Sequence, residues 1–235
     1  MRHFVFLGPP GTGKTTVARV LAKIFYAFGL LQTPEVIEAH RADLVGEYLG
    51  ATAIKTNELV DSALGGVLFI DEAYSLVNEG DGQADRFGQE AVQALLKRAE
   101  DNRDNLIIIL AGYEKQMESF LSSNPGMASR FATRLKFPSY SPADLSRIAK
   151  MIAQQAGDTF DAEALPVLDR VFGHACAEGL IDELGNGRFA RSLFERACAC
   201  RDLRVAHLGE AATASMLTTI TAADLRSAYD ELAAV

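Results

Sequence analysis

Gly8-Pro9-Pro10-Gly11-Thr12-Gly13-Lys14-Thr15 sets a lysine and a hydroxyl directly behind three glycines. The spacing, G-x-x-x-x-G-K-[ST], suits a polyphosphate seated on backbone. Glycines at 8, 11 and 13 let the chain turn without Cβ clashes and bring N–H groups close to phosphate oxygens. A helix opening at the same place aims its positive end at the anion. Lys14 offers a point charge to the β- and γ-phosphates, and the Thr15 hydroxyl offers a ligand to Mg2+. Pro10, Gly11, Thr12, Gly13 and Thr16 complete the candidate set for contact with ATP. Further along, Val67-Leu68-Phe69-Ile70 runs into Asp71-Glu72. Acids at the carboxyl end of a parallel strand face the crevice where such sheets bind ligands. Asp71 is placed to hold Mg2+, through water or together with Thr15. Glu72 is placed to orient or deprotonate an attacking water, and this second acid favours hydrolysis over binding alone.

Strands must deliver these groups to one edge. Short apolar runs at 4–7, 35–39, 67–70, 106–110 and 134–137 alternate with helix patterns near 14–28, 52–64, 84–100 and 114–122. Such alternation predicts a parallel sheet covered on both faces. The continuous branched runs at 67–70 and 106–110 suit strands buried on both sides. After Phe137-Pro138 the strand pattern stops. Ser141-Pro142-Ala143-Asp144 reads as a helix start, with a Ser cap, Pro at the first position and an acid in the first turn. Helix patterns follow over 142–156, 161–178, 187–203 and 221–233, the last opening on Thr221 with Asp224 three residues on. The expected organisation is a large α/β nucleotide-binding domain over 1–140 and a helical domain over 141–235.

At 235 residues, 49% hydrophobic and 23% charged, the chain has the composition of a globular protein with an ordinary core. A net charge of −8 argues against a surface built for nucleic acid. Cys176, Cys198, Cys200 and four scattered histidines make neither a disulfide framework nor a zinc pattern, as expected of reduced thiols in the cytoplasm. No window approaches the roughly 18 uncharged apolar residues of a membrane span. The first apolar run is too short for a secretory leader and runs straight into the glycine-rich loop.

Several blocks now point to a family. They are the loop at 8–15, Asp43-Leu44-Val45-Gly46-Glu47-Tyr48-Leu49-Gly50, Phe69-Ile70-Asp71-Glu72-Ala73-Tyr74-Ser75-Leu76, and Leu110-Ala111-Gly112-Tyr113. Asn124-Pro125-Gly126 with Ser129-Arg130-Phe131, and Gly185-Asn186-Gly187-Arg188-Phe189-Ala190-Arg191, complete the set. In this order they resemble AAA+ ATPases of the CbbX/CfxQ–SpoVK group. That group includes red-type Rubisco activases, sporulation-type ATPases and EccA, the cytosolic AAA+ component of type VII secretion systems. The resemblance covers essentially the whole chain and does not choose among these members. It implies a P-loop AAA+ module: a five-stranded parallel sheet flanked by helices, then a small all-helical lid. It also implies a ring, usually a hexamer, with ATP held between neighbours and hydrolysed to ADP and phosphate.

Residue by residue, the resemblance makes Arg130 the arginine that reaches a neighbour's nucleotide, with Arg134 as second candidate. Such a finger is worth on the order of 10³–10⁵ in rate in related phosphate-loop enzymes. It places Arg188 in the lid, reaching the γ-phosphate, with Arg191 one turn later sharing the role. It places Tyr48-Leu49-Gly50 in a central pore, where an aromatic grips polypeptide with little entropy to lose and glycine lets the loop move. Asn78-Glu79-Gly80-Asp81-Gly82-Gln83-Ala84-Asp85 would be a second, acidic pore-side loop. Two departures stand out. Many relatives end the fourth strand with Asn or Thr to position water, whereas here Tyr113, then Glu114, are the nearest candidates. Relatives also wall the adenine with residues before the first strand, and here little precedes Phe4.

The expected function is an ATP-driven, cytoplasmic protein remodeller whose partners are copies of itself and an unidentified protein substrate, a type VII secretion factor or a Rubisco-like target. A nucleic-acid motor or clamp loader shares the ATPase parts, but the acidic balance and the Tyr-Leu-Gly segment argue against it. A nucleotide-dependent scaffold with little turnover is disfavoured by Glu72.

Overall fold

The structure, a computed structural model, describes residues 3–48, 50–77 and 85–233. The chain forms two compact units, Met1–Pro9 with Gly13–Phe137, and Pro10–Thr12 with Pro138–Val235. In the first unit, β1 (Phe4–Leu7), β2 (Val36–Ala39), β3 (Val67–Ile70), β4 (Ile107–Gly112) and β5 (Thr133–Lys136) make one parallel sheet in the order β2-β3-β4-β1-β5. Its helices are α1 (Lys14–Ala27), α2 (Arg41–Leu44), α3 (Ala51–Ser62), α4 (Arg86–Asp101), α5 (Glu114–Ser122) and α6 (Pro125–Arg130).

Side-chain alternation explains why the central strands are apolar throughout. Val5, Leu68, Ile70, Ile108 and Leu110 join one core with Leu95 and Leu96 of α4 and Met117 and Phe120 of α5. Phe6, Val67, Phe69, Ile107 and Ile109 join the other, closed by Ala18 and Ala22 of α1. Each large side chain removed from water in these layers contributes roughly 1.5–3 kcal/mol. Edge strand β5 is exposed at every residue and carries Arg134 and Lys136, charges that discourage pairing with another edge.

Register positions the chemistry. Val5 pairs with Leu110, and Leu110 with Ile70, so β1, β4 and β3 end nearly level. Gly8, Tyr113 and Asp71 therefore leave the same edge of the sheet. Neighbouring strands lie about 4.8 Å apart, which puts β1 and β3 about 10 Å apart with β4 between them.

The second unit packs α7 (Pro142–Ala156), α8 (Ala164–Ala177), α9 (Gly187–Leu208) and α10 (Ala222–Ala233) around Leu145, Leu168, Phe172, Leu193 and Leu225. The expected caps form: the Ser141 hydroxyl accepts from Asp144 N at 3.2 Å, and the Asp224 carboxylate accepts from Thr221 N at 2.8 Å. The unit is not purely helical. β6 (Thr159–Phe160) and β7 (Thr219–Ile220) form a small parallel pair, too short to leave a period-two pattern in the sequence. Helix α9 also runs past the expected end to Leu208, where Gly209 stops it. Its Arg201 pairs with Asp158 at 2.6 Å and its Arg204 with Asp224 at 2.9 Å, tying α9 to the start of β6 and to the cap of α10.

Candidate functional site

The glycine-rich loop leaves β1 with its root bonded on both sides. Phe137 N donates to Leu7 O at 2.7 Å and Gly8 N to Gly112 O at 3.1 Å. A Cβ at Gly8 would stand 2.1 Å from Phe137 O, so no side chain fits there. Gly13 has φ +87 and opens α1, which takes no side-chain cap. The positive end of α1 thus faces the loop, the arrangement that receives anions. Lys14 Nζ donates to Gly8 O at 2.9 Å and to Pro9 O at 2.8 Å, so its charge lies over the loop. Thr15 is half-buried and Thr16 exposed in the first turn of α1.

The loop's apex, Pro10–Thr12, belongs to the second unit. There the carbonyls of Pro10, Gly11 and Thr12 accept from Asn186 Nδ2 at 3.3 Å, Gly187 N at 3.1 Å and Tyr140 Oη at 3.0 Å. A trans peptide points its N–H away from its C=O, so anchored carbonyls fix the direction of the amides that follow them. Asn186 is fully buried at φ +52, and its Oδ1 accepts from Tyr140 N at 2.9 Å. The sequence alone assigns neither Tyr140 nor Asn186 a role. An Asn between two glycines, a residue type enriched at positive φ, was the available signal. Arg188 and Arg191 lie exposed on the first turns of α9.

The acids follow β3. Asp71 N donates to Ala39 O at 3.0 Å, and Asp71 Oδ1 accepts from Glu72 N at 3.0 Å. Glu72 adopts φ +49, ψ +43, a left-handed conformation that costs a non-glycine residue about 1 kcal/mol or more. Its carboxylate is exposed at the start of a tight turn over Ala73–Leu76. Tyr74 lies in the same turn, close enough to feel the Glu72 charge. Burial first, then the Glu72 charge, push the Tyr74 phenol up to about 12, so it remains a proton donor. Its ring lies 6.2 Å from that of Tyr113, the half-exposed cap of α5. Glu114 is engaged with Lys136 of β5. The Thr15 hydroxyl and the Asp71 carboxylate are hard oxygen donors of the kind Mg2+ takes. Among the described residues no group of three His, Cys, Asp or Glu could hold an ion by itself.

Arg130 ends α6, a helix capped by Asn124 with Pro125 at its first position. Its Nε lies 3.2 Å from Glu100 Oε2 of α4, and Nη1 donates to Gly126 O at 3.4 Å. Arg134 is exposed on edge strand β5. Tyr48 is 74% exposed, which rules out its packing in the core. The base of its segment is stitched to α3: Gly46 N donates to Thr52 Oγ1 at 3.0 Å, and Thr56 Oγ1 to Leu44 O at 2.9 Å. Gly50, at φ +82, begins α3. Leu49 and residues 78–84 of the acidic stretch lie outside the described residues. Asp85, the end of that stretch, caps α4 by accepting from Gly88 N at 2.9 Å.

Residues 4–139 match AAA, the ATPase family associated with various cellular activities, and residues 141–234 match the AAA lid domain. The ESX-1 secretion system protein EccA1 of Mycobacterium leprae is 49% identical across 87% of this chain and 37% of its own length. The ESX-3 secretion system protein EccA3 of Mycobacterium tuberculosis strain H37Rv is 43% identical across 98% of this chain and 38% of its own. The chain thus spans 37–38% of the length of these curated relatives. In fold, the FIGL-1 AAA domain in complex with ADP matches 99% of this chain and 76% of its own, with TM-score 0.63 and 20% identity. A RuvB variant from Thermotoga maritima matches 99% of this chain and 63% of its own, with TM-score 0.68 and 20% identity. No helix among the described residues is long and apolar enough to cross a membrane.

Proposed function

We propose, for a chain that belongs to the AAA family of ATPases, that it hydrolyses ATP with Mg2+ and uses the cycle to remodel a polypeptide. The observation that carries the reading is that a glycine-rich loop and a strained Glu72 leave one sheet edge from strands that end level. In this reading the amides of 11–15 and the Lys14 ammonium bind the polyphosphate. Thr15 and Asp71 hold Mg2+, which neutralises charge on the phosphates. Glu72 orients or deprotonates the attacking water.

Arg130 serves a neighbour's nucleotide in a ring, and Arg134 is the alternative. Arg130 is held by Glu100 within its own chain and must exchange that partner for phosphate. Arg188 and Arg191 report the γ-phosphate to the helical unit. Exposed Tyr48, on a stitched base, grips the substrate. Because the relatives are named for secretion systems, a type VII secretion factor in the cytoplasm is the favoured substrate class.

Light scattering with and without MgATP, beside phosphate release over a range of protein concentrations, tests the reading. Assembly on adding MgATP, and turnover per chain that rises with concentration, are expected. Arg130→Ala should lower turnover by on the order of 10³. Full turnover by a monomer would contradict a shared site, and assembly without phosphate release would mark a scaffold.

A further inference from the structure

Arg41, which opens α2, is placed in no role by the reading above, yet its guanidinium joins three elements. Nη1 donates to Ser75 O at 2.6 Å and to Leu76 O at 2.9 Å. Nη2 lies 2.5 Å from Asp85 Oδ2, and the two side chains are 31% and 11% exposed. Ser75 and Leu76 end the tight turn that begins at Glu72, and carbonyls at such an end lack partners within the turn. Asp85 Oδ1 meanwhile caps α4 through Gly88 N. Gly88 is pressed against the same turn, where a Cβ would stand 1.5 Å from Leu76 O. On its other side, Arg41 begins the short helix that leads into the Tyr48 segment. Thr52 and Thr56 stitch that lead-in to α3, and Lys55 Nζ donates to Ala42 O at 2.5 Å.

The Glu72 turn, the α4 cap and the base of the Tyr48 segment therefore meet at one side chain. Only a planar fork with several donors serves two carbonyls and a carboxylate together; a lysine could keep the charge pair but not the geometry. We propose that Arg41 is a positioning residue that sets the turn aiming Glu72 and couples it to the base of the Tyr48 segment, so that a polypeptide engaged at Tyr48 changes turnover at Glu72. The inference rests on the proposed ATPase function.

Steady-state phosphate release by the 235-residue chain, with and without casein as an unfolded polypeptide, tests it together with melting temperature. Arg41→Gln is expected to lower kcat by about tenfold to a hundredfold, the scale of a misplaced catalytic group, with KM for MgATP little changed and the casein response lost. Arg41→Lys and Asp85→Asn should move kcat and casein response the same way by less, and they carry the test if Arg41→Gln does not fold. Parent-like kcat and casein response in these variants would overturn the proposal, as would a kcat that falls only in proportion to folded protein. A parent that hydrolyses ATP without responding to casein overturns the coupling. A parent that releases no phosphate overturns the ATPase reading and the proposal with it.

Discussion

The root of the phosphate loop and the Tyr48 segment both depend on a glycine, and the two glycines have opposite surroundings. Gly8 is wedged between strands, with Phe137 O only 2.1 Å from where a Cβ would be. Its N–H is bonded to β4, and the residue before it accepts from Phe137, which follows β5. Among the described residues Gly50 has nothing within 4 Å of its Cβ position, and nearby Tyr48 is 74% exposed. The contrast matches the ligands each region is proposed to take. A polyphosphate has one shape, so its loop is fixed by backbone bonds. A polypeptide varies along its length, and among the described residues the base of the proposed gripping segment is tied down through Thr52 and Thr56.

Paired substitutions can break that contrast. Gly8→Ala must displace the Phe137 backbone, so MgATP affinity should fall by about a hundredfold, consistent with the 1–3 kcal/mol typical of overpacking. Gly50→Ala meets only the left-handed backbone penalty of about 1 kcal/mol, and its MgATP affinity should equal that of the parent. Titration calorimetry and denaturant unfolding measure both quantities, and equal losses in the two variants would remove the distinction. Tyr48→Ala sharpens the other side: the ratio of casein-stimulated to basal phosphate release should fall toward one. A ratio unchanged by the substitution would place polypeptide binding elsewhere.

The smallest expected effect concerns the packing beneath the loop. His3 is buried, accepts from Ile108 N at 3.0 Å through Nδ1, and directs Nε2 to Ala99 O at 3.2 Å. The neutral ring satisfies both partners, and burial pulls its pKa below the ordinary 6.5. Folding therefore favours the neutral form, and the unfolded chain takes up the proton first as pH falls. Stability should be complete above pH 6.5 and decline below it until the folded ring titrates. Denaturant midpoints measured from about pH 7.5 to about pH 5.5 should show that slope, and His3→Gln should flatten it.

Sequence patterning revealed the parts of the site whose spacing encodes backbone geometry. The loop at 8–15 and the acids after 67–70 were legible because glycine, lysine and carboxylate positions are fixed by where a phosphate must lie. Strands β3 and β4 were legible because both faces are buried, which leaves unbroken apolar runs. Pairings across long stretches of chain were not. Arg41 meets Ser75 across 34 residues, and Tyr140 meets Asn186 across 46, and no local period announces either. Asp85 read as the tail of an acidic loop because its capping role appears only once α4 is seen to begin at Arg86. The resemblance points to Arg130, but the sequence does not show its engagement by Glu100 of α4. The β6–β7 pair was hidden because two residues cannot show a period.

The central claim is that Glu72 drives hydrolysis of ATP bound on the loop at 8–15. Glu72→Gln keeps the size and hydrogen-bonding outline of the side chain while removing its basicity. ATP binding and phosphate release should therefore be measured on the parent and on Glu72→Gln, side by side with Mg2+. The account predicts parent-like ATP affinity in the variant and phosphate release lower by on the order of 10²–10⁴. Release at the parent rate from Glu72→Gln would contradict it.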